Sequence, residues 1–432
     1  MNLLDLVGGT PLVTLGSGVH AKLEYLNPGG SVKDRAALSM VLDAEASGAL
    51  RPGGTIVEGT SGNTGLGLAQ VAAARGYRMV CVLPDKTAVE KLDALRAYGA
   101  EVVLTPPALP KEHPDHVVAY AARIARETDG GWWADQYGNP ANPAVHVRTT
   151  GPEIWEATEG RVTHFVATIG TGGTISGTGR FLKEASDGRV RVIGADPVTS
   201  TYGGGDGSPF AIEAAGHYLH PQTVDDPWPD SYHRDVVDEV VSVPDRASIH
   251  ACRTLARTEG LLVGGSSGTA YAVASSVTGD CVVVLLPDSG RAYLSKYHSD
   301  TWCRRQGFLD GELSAYVSPV VSVPVGTPAA EARRVLESSG QPALPVVLAG
   351  RPDRFPPAAG EVLALATAAD LSGSGTVGPA ASPPVGLGVG ESVADALERF
   401  PDGGCAHLVR DGRLAGLVTR GALRAGEQKV GS

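Results

Sequence analysis

Short runs of aliphatic and β-branched residues alternate with alanine-rich segments over roughly the first 300 residues of the chain. These runs are TIVEG (55–59), RMVCVLP (78–84), EVVLTP (101–106), HFVATIG (164–170), RVIGADP (191–197) and CVVVLLP (281–287). The intervening segments, such as NTGLGLAQVAAARG and AVEKLDALRAYGA, have the length and composition of helices. Near-continuous apolar strands separated by helices indicate parallel sheets buried on both faces. The pattern therefore predicts an α/β protein that binds ligands at the carboxyl ends of its strands.

The pattern changes after about residue 310, where GELSAYVSPV (311–320) predicts a linker. Two similar copies of helix, strand, strand and helix follow, at 327–371 and 391–423. Between them lies the connection SGSGTVGPAASPPVG, which is rich in Gly, Ser and Pro. We therefore expect a large domain at 1–310 and a small α+β tandem-repeat domain at 321–432.

Composition and charge exclude several classes of function. With 36 basic and 47 acidic residues the net charge is −11, which argues against nucleic acid or an anionic membrane as the main partner. No apolar run is long enough for a membrane span, and the N-terminus has no basic region of a signal peptide. The scattered cysteines show no metal-ligand spacing: Cys81, Cys252, Cys281, Cys303 and Cys405. We expect a cytoplasmic protein with reduced thiols and no metal site.

The first chemical signal is a single lysine, Lys33, in GGSVKDRAA (29–37), between a flexible turn and the predicted start of a helix. A lysine in this position is by default a solvated surface charge. The second signal is EGTSGNTGLGLA (58–69), which follows a strand and opens a helix. Its polar side chains are Thr60, Ser61, Asn63 and Thr64. Backbone N–H groups at a helix N-terminus, together with such side chains, suit a carboxylate.

Two further glycine-rich segments complete the set. In GTGGTISGTG (170–179) consecutive N–H groups from Gly170 to Thr174 could hold a phosphate. In LLPDSGRAYLSK (285–296) Ser289 follows the last strong strand. Neither GTGGTI nor GLGLAQ completes the GxGxxG dinucleotide motif, and any one such loop could be only a tight turn. A lysine, a carboxylate site and a phosphate site on one scaffold indicate pyridoxal-phosphate chemistry, in which a lysine forms a Schiff base and moves protons.

Four motifs, NPGGSVKDRAA, EGTSGNTGLGLA, GTGGTISGTG and LLPDSGRAYLSKYHSDTW, together resemble the cystathionine β-synthase and cysteine synthase family of pyridoxal-phosphate fold type II. The resemblance runs from GGTPLV (8–13) to about QGFL (306–309). It implies a catalytic core of two α/β subdomains that clamp the cofactor. The tandem repeat resembles the CBS pair, the paired nucleotide-sensing modules that follow the catalytic domain in many cystathionine β-synthases.

The resemblance also implies residue roles. Lys33 would carry pyridoxal 5'-phosphate as a Schiff base and act as general base and acid, and Asn63 would hydrogen-bond the ring hydroxyl. Ser289 would face the pyridine nitrogen without enforcing its protonation, which favours elimination at Cβ. The phosphate would be held by Gly170, Thr171, Gly172, Gly173 and Thr174. The substrate carboxylate would be bound by Thr60, Ser61, Gly62, Asn63 and Thr64, with Gln136 and Tyr137 lining the same site.

The reaction implied is a β-replacement, in which L-serine or an activated serine loses its β-substituent and a thiolate adds to an aminoacrylate intermediate. Three segments resemble cystathionine β-synthases more than plain cysteine synthases: DQYGNPANP (135–143), EGLLVGG (259–265) and PDSGRAYLSKYHSD (287–300). This resemblance implies homocysteine as the thiol and L-cystathionine as the product. The alternatives are a cysteine synthase using O-acetylserine and sulfide, a specialised enzyme with another nucleophile, and a non-catalytic metabolite sensor. The resemblance also implies a homodimer or larger homo-oligomer.

Two departures concern the active-site entrance, where IEAAGHYLHP (212–221) replaces the EGxGY pattern of cystathionine β-synthases. Ala214 replaces a glycine and His217 replaces the tyrosine. Because both positions help to form the entrance in that family, the identity of the second substrate stays open. His217 either tunes the substrate or is simply a hydrogen-bonded histidine. The preceding STYGGGDGSPF (200–210) is expected to be a loop or lid. No haem is expected, because the resemblance starts at the beginning of the chain.

The third departure lies in the tandem repeat. Modules of this type often place Thr or Ser three residues before Asp to hold ribose and phosphate, and Thr367 with Asp370 fits this spacing. In the second copy Thr419 is followed by Ala422, so the acid is missing. An adenosyl ligand is therefore the weaker alternative, and a structural role in contacts between subunits is expected.

Overall fold

The computed structural model describes residues 2–60, 62–85, 87–106, 109–351, 354–400 and 404–430. The chain divides into two compact units, the first of residues 1–207 with 212–298 and the second of residues 208–211 with 299–432. The strands of the first unit are β1 (Leu12–Thr14), β2 (His20–Leu23), β3 (Thr55–Gly59), β4 (Arg78–Pro84), β5 (Glu101–Thr105), β6 (Gly131–Trp133), β7 (His164–Thr168), β8 (Arg191–Pro197), β9 (Glu239–Val243) and β10 (Val282–Leu286). Its helices are α1 (Lys33–Ser47), α2 (Asn63–Arg75), α3 (Val89–Ala97), α4 (Val117–Glu127), α5 (Ala141–Arg148), α6 (Thr150–Ala157), α7 (Gly173–Ala185), α8 (Asp245–Thr258) and α9 (Gly265–Ala274).

The first unit contains two sheets. A six-stranded sheet has the order β1-β2-β10-β7-β8-β9, and a four-stranded sheet has the order β5-β4-β3-β6. All neighbouring strands run parallel except β1 and β2, which are antiparallel. The predicted α/β class with two parallel-type sheets is confirmed.

Helices cover both faces of the four-stranded sheet, which explains its uninterrupted apolar strands. On one face Ile56 and Cys81 pack with residues of α1 and α2, including Met40 and Leu68. On the other face Val57, Val80 and Val82 pack with Ala121 and Ala125 of α4. All five residues of β3 are buried, as are all five of β10 in the other sheet. Burial on both faces removes the polar–apolar alternation that a half-exposed strand would show.

The loops with candidate chemistry follow the carboxyl ends of three strands. The turn beginning at Thr60 follows β3, Gly170–Gly172 follow β7, and Asp288 with Ser289 follow β10. The first two loops lead directly into the N-termini of α2 and α7. Parallel strands bring such loops to one edge of each sheet.

The second unit contains two sheets of the same topology. Its strands are β11 (Val323–Pro324), β12 (Leu344–Val347), β13 (Val362–Ala366), β14 (Gly386–Gly388), β15 (Cys405–Arg410) and β16 (Arg413–Thr419). Its helices are α10 (Asp300–Arg305), α11 (Ala329–Ser339), α12 (Val393–Arg399) and α13 (Arg420–Val430). In each three-stranded sheet the first pair is parallel and the second antiparallel. This confirms a small tandem α+β domain, although the first copy ends in a 3-10 turn, Asp370–Ser372, where a helix was predicted.

The second compact unit starts at residue 299, earlier than the boundary at 310 that the sequence predicts. Trp302 stacks on Phe308 at 5.6 Å between ring centroids, and Phe308 is fully buried. The segment 311–320, predicted as a linker, forms a 3-10 helix at Glu312–Tyr316 whose Leu313 is buried in the core of the second unit. Both differences have one cause, which is that single aromatic and leucine side chains such as Phe308 and Leu313 pack into the second unit from segments that look polar overall. Within the predicted lid, Ser208 also belongs to this unit and accepts a hydrogen bond from Arg413 at 2.9 Å.

Candidate active site

Lys33 and the glycine-rich loop after β7 line one small cavity. Lys33 is the first residue of α1, and the cavity walls also include Gly170, Thr171, Gly172 and Thr174. Surrounding protein atoms desolvate the Lys33 ammonium group and lower its pKa to about 8, although nearby Asp288 acts in the opposite direction. A lysine with this pKa is partly neutral near physiological pH, as a nucleophile or general base requires.

The Gly170–Thr174 loop has room only for glycine at two positions. Gly172 has φ +87°, and a Cβ there would lie 2.5 Å from Tyr232 Cα. A Cβ on Gly173 would overlap the side-chain amide of Asn142. Within the described residues no side chain caps α7, so its first N–H groups are available to a ligand. An uncapped helix N-terminus behind a glycine loop suits a phosphate.

The loop after β3 holds the predicted substrate-binding residues at the start of α2. Thr60 and Thr64 are buried, and the Thr60 hydroxyl accepts a hydrogen bond from Gly62 N at 3.0 Å. Gly62 has φ +128°, a conformation that favours glycine. The Thr64 hydroxyl donates to Gln136 Oε1, so the structure brings these two predicted residues together. Ser61, the fifth predicted member of this loop, lies outside the described residues.

Gln136 and Tyr137 lie on a turn that begins at Asp135, whose φ of +47° is unusual for a residue with a side chain. The side chain of Glu58 is buried beside this turn, where the polar groups of Asp135 and Gln136 act on its carboxyl. Burial raises the pKa of Glu58 to about 8, so a neutral carboxylic acid lies beneath the substrate loop. Burial likewise raises the pKa of Tyr137 to about 12.

Asn63 is hydrogen-bonded to Asp288, an acid for which the sequence predicted no role. Its side-chain Nδ2 donates to Asp288 Oδ2 at 2.7 Å, which leaves its second N–H for another acceptor. Asp288 Oδ2 also accepts from the hydroxyl of Tyr293, which in turn accepts from Lys91 Nζ at 2.8 Å. Burial raises the pKa of Asp288, while Lys91 opposes this rise. The network fixes the position of Asn63 through buried polar groups.

Ser289 is placed beside Lys33 by backbone pairing. Val32 N donates to Pro287 O at 2.8 Å, and Ser289 N donates to Gly30 O at 3.2 Å. The Ser289 hydroxyl oxygen accepts from Arg291 N at 3.3 Å, so its proton is directed elsewhere. The segments on either side of Lys33 and Ser289 thus form one rigid bridge between α1 and β10.

The two departures at the entrance have different structural contexts. Ala214 lines the Lys33 cavity and has φ +63°, a region that favours the glycine expected there. His217 is mostly buried, and its Nδ1 is 2.9 Å from the Thr201 hydroxyl while its Nε2 lies 3.5 Å from Asp226. His217 therefore has a hydrogen-bonding partner at Nδ1 and a carboxylate within ion-pair distance of Nε2.

In the tandem repeat, Thr367 and Asp370 are hydrogen-bonded to each other. The backbone N–H and hydroxyl of Thr367 donate to Asp370 Oδ2 at 2.8 and 2.7 Å. Thr419 accepts from Ala422 N at 3.2 Å at the start of α13. Both threonines thus stabilise local turns of the second unit.

Several residues around the site carried weak or no sequence signal. Asp288 and Glu58 lie within the quoted motifs but were given no role, because their burial is a tertiary property. Lys91 lies on an ordinary helix, α3, and nothing in its local sequence marks it. Asn142 and His146 occur four residues apart in α5, and this spacing is a signal that could have been used.

Among the described residues, no helix is both long and apolar enough to cross a membrane. The same residues include no group of three or more His, Cys, Asp or Glu side chains arranged to hold a metal ion. All five cysteines are free thiols, and four of them are buried.

Residues 3–288 match the family described as pyridoxal-phosphate dependent enzymes. A cystathionine beta-synthase from Apis mellifera is 40% identical over 327 residues, which cover 71% of this chain and 63% of that protein. A cysteine synthase 1 from Neurospora crassa is 39% identical over 339 residues, covering 74% of this chain and 89% of that protein. The chain therefore spans about three fifths of the length of the first curated relatives that it matches.

A solved structure shows the same similarity. The crystal structure of O-ureido-L-serine synthase, in a variant with O-ureido-L-serine bound, superposes with a TM-score of 0.62 at 40% sequence identity. The match covers 68% of this chain and 92% of that chain.

Proposed function

Because the chain belongs to the pyridoxal-phosphate-dependent enzyme family, we propose that it catalyses a β-replacement on L-serine or an activated serine. The proposed nucleophile is L-homocysteine and the proposed product is L-cystathionine, as part of cysteine biosynthesis by transsulfuration. The observation that carries the proposal is the shared cavity of Lys33 and the Gly170–Thr174 loop. The cystathionine beta-synthases among the relatives support the choice of nucleophile.

The residues around this cavity fit pyridoxal 5'-phosphate. The uncapped N-terminus of α7 and the hydroxyls of Thr171 and Thr174 would hold its phosphate. The side chains of Asn63 and Ser289 would contact its ring. When bound, the cofactor supplies an aldehyde for an imine and a conjugated ring that accepts charge from the substrate α-carbon. Lys33, with its pKa of about 8, would take the proton from that carbon.

The substrate carboxylate would bind at the loop between β3 and α2. The N-terminus of α2 provides N–H groups, and Thr60, Gly62, Asn63 and Thr64 surround them, with Ser61 assigned to the same loop by resemblance alone. The Thr64–Gln136 hydrogen bond positions the Gln136 side chain beside this loop. Glu58, kept neutral by burial, adds no negative charge that would repel the carboxylate.

A second candidate function is supported by two comparisons. The cysteine synthase relative favours O-acetylserine and sulfide as substrates, and the O-ureido-L-serine synthase structure favours a nucleophile other than a thiol. Ala214 and His217 are the positions that depart from the cystathionine β-synthase pattern and so define where this choice would be made. The third alternative, a non-catalytic sensor, is disfavoured because Lys33 and the Gly170–Thr174 loop line one cavity, as catalysis with the cofactor would require.

The test is turnover of the full chain with pyridoxal 5'-phosphate, each amino acid being paired with each nucleophile. Cystathionine from serine and homocysteine, identified by mass spectrometry, is the expected product. If only O-acetylserine with sulfide or with another nucleophile reacts, the cystathionine assignment is wrong and the β-replacement stands. If no pair reacts, the β-replacement itself is wrong.

The location and assembly belong to the same proposal. We place the protein in the cytoplasm, consistent with its free thiols. A homodimer is supported by a groove between α1 and α5 whose apolar part includes Leu38, Leu42 and Val145, with Leu42 44% exposed. Leu42→Arg should then shift the sedimentation coefficient from that of a dimer to that of a monomer. An unchanged coefficient would remove this groove from the interface.

For the tandem repeat at 321–432 we propose a structural role, with S-adenosylmethionine or an adenine nucleotide as the alternative ligand. The mutual hydrogen bonds of Thr367 and Asp370 support the structural role. Melting curves of the full chain with each ligand test this, and a clear rise in melting temperature that Asp370→Ala removes would establish the alternative.

A further inference from the structure

Helix α5 presents two buried polar side chains to the predicted phosphate loop. Asn142 is 1% exposed and His146 is fully buried, and their spacing of one helical turn puts both on the same face. This face packs closely on α7, since a Cβ on Gly177 would lie 2.8 Å from His146 Cβ. Neither residue has a role in the chemistry proposed above.

The hydrogen bonds of Asn142 fix the direction of its amide. Its Nδ2 lies 2.8 Å from the backbone oxygen of Gln136, which can only accept, so this end of the side chain is the donor. The same Nδ2 lies 3.2 Å from the hydroxyl oxygen of Thr171. Because Nδ2 cannot accept, Thr171 must use its oxygen as acceptor, and its own proton must point to a different group.

His146 is placed between two threonine hydroxyls. Its Nδ1 is 2.8 Å from Thr150 Oγ1, and its Nε2 is 3.2 Å from Thr174 Oγ1. Burial, together with the charges of Arg35 and Lys33, holds the pKa of His146 well below its usual value, so the ring is neutral. A neutral imidazole donates from one nitrogen and accepts at the other. If Thr150 donates to Nδ1, then Nε2–H donates to Thr174.

We propose that Asn142 and His146 are positioning residues that turn the hydroxyl protons of Thr171 and Thr174 toward the anion held at the N-terminus of α7. Asn142 Nδ2 donates to Thr171, and His146 donates to Thr174 in the tautomer that carries its proton on Nε2. In that arrangement both hydroxyl protons are left for the anion before the phosphate arrives. Two hydroxyl donors held in this orientation lower the cost of reorganisation when an anionic ligand binds. The inference rests on the proposed use of pyridoxal 5'-phosphate and concerns only its phosphate.

The experiment separates the phosphate from the rest of the cofactor. Dissociation constants of pyridoxal 5'-phosphate and of pyridoxal, which lacks the phosphate, are measured on the full chain by fluorescence. The dissociation constant of pyridoxal divided by that of pyridoxal 5'-phosphate measures how much the phosphate contributes to binding. Asn142→Ala and His146→Ala should each reduce this ratio about tenfold, the size expected for a hydrogen bond to a charged group. The 31P resonance of the bound cofactor should shift in both variants.

A double-mutant cycle tests whether the effect passes through the threonine hydroxyl. In a Thr171→Val background, Asn142→Ala should change the ratio by less than about twofold, because the hydroxyl that it orients is gone. His146→Gln, which can place an amide donor near the former Nε2, should restore part of the ratio that His146→Ala loses.

Asn139→Ala is the matched control, because Asn139 stabilises the same helix without touching the phosphate loop. Its side chain bonds Ala141 N at 3.0 Å and Ala134 O at 2.9 Å. This variant should lower the melting temperature and leave the binding ratio unchanged.

If Asn142→Ala weakens the binding of pyridoxal and of pyridoxal 5'-phosphate equally, the inference is wrong, since α5 would then stabilise the site without orienting a phosphate ligand. Additive effects of Asn142→Ala and Thr171→Val would overturn it as well. If the unmodified chain shows no preference for pyridoxal 5'-phosphate over pyridoxal, the proposed cofactor site fails first, and this result is distinct from both of the others.

Discussion

The ammonium group of Lys91 is completely buried and lies 3.0 Å from a carboxylate oxygen of Glu213. The other carboxylate oxygen of Glu213 is bonded to Lys296, and the aliphatic part of Lys91 lies against Gly62 in the substrate loop. Lys91 thus joins the entrance segment at Glu213 to the loop that would bind the substrate carboxylate. The position of the entrance segment therefore depends on the ion pair between buried Lys91 and Glu213.

Glu213→Gln should strongly destabilise the first unit, because the buried Lys91 ammonium would keep its hydrogen bond to Tyr293 but lose the carboxylate that balances its charge. Breaking a buried ion pair on one side typically costs about 3–5 kcal/mol. Adding Lys91→Met should restore part of the stability by removing the uncompensated charge. The measurement is the urea dependence of unfolding followed by circular dichroism.

Arg96→Met on the same helix is the control for this pair, because the ion pair of Arg96 with Asp93 is exposed to solvent. We expect it to change the unfolding free energy by less than about 0.5 kcal/mol. A loss in Glu213→Gln no larger than in this control would show that the buried pair does not support the fold.

Lys33→Ala should lower the rate of exchange of the serine α-proton with deuterium by about 10² to 10⁴-fold, because a general base is removed from the cavity. In the unmodified protein this rate should rise with pH and level off above about 8, since the pKa of about 8 marks conversion of Lys33 to its neutral form. Proton NMR in deuterated buffer measures both effects. Lys183→Ala, at an exposed ion pair on α7, should leave exchange unchanged, and retained exchange in Lys33→Ala would refute the assignment of the base.

Glu58→Gln should make the protein more stable at alkaline pH. The pKa of Glu58 is raised from 4.5 to about 8 in the folded state, so its ionisation on unfolding releases a proton and stability falls as pH rises between these values. The amide of the variant cannot ionise. The difference in unfolding free energy between Glu58→Gln and the unmodified protein should therefore show no pH dependence below about pH 4.5. It should then grow by at most about 1.4 kcal/mol per pH unit up to about pH 8. Melting temperatures across this range measure it, and parallel curves for both proteins would mean that Glu58 is ionised when folded.

Ala214→Gly should stabilise the protein by about 0.5–1 kcal/mol. The φ of +63° costs a residue with a Cβ about 1–2 kcal/mol, and the greater freedom of glycine in the unfolded chain offsets part of this. Ala88→Gly is the control, because Ala88 is buried with φ −56°, where the same change should destabilise. Destabilisation of both variants would show that the backbone at Ala214 is not strained.

The sequence by itself determined the class of the fold and the order of the loops. Apolar runs such as TIVEG and CVVVLLP became the fully buried strands β3 and β10, because a strand covered on both faces must be apolar at every position. Lys33, Asn63, the Gly170–Thr174 loop and Ser289 could be selected because glycine-rich turns after such strands leave backbone N–H groups open. The matching topology of the two C-terminal sheets likewise followed from a repeat visible in the chain.

Only the tertiary structure decided which polar groups support these loops. Asp288 reaches Asn63, Glu58 reaches the turn of Gln136, and Lys91 reaches Glu213 across long separations in the chain. The boundary of the second unit at 299 was also invisible, because single buried residues such as Phe308 and Leu313 do not form a pattern. Periodicity reports the face that an element buries, whereas the partner of a buried charge or amide is set by how distant segments fold together.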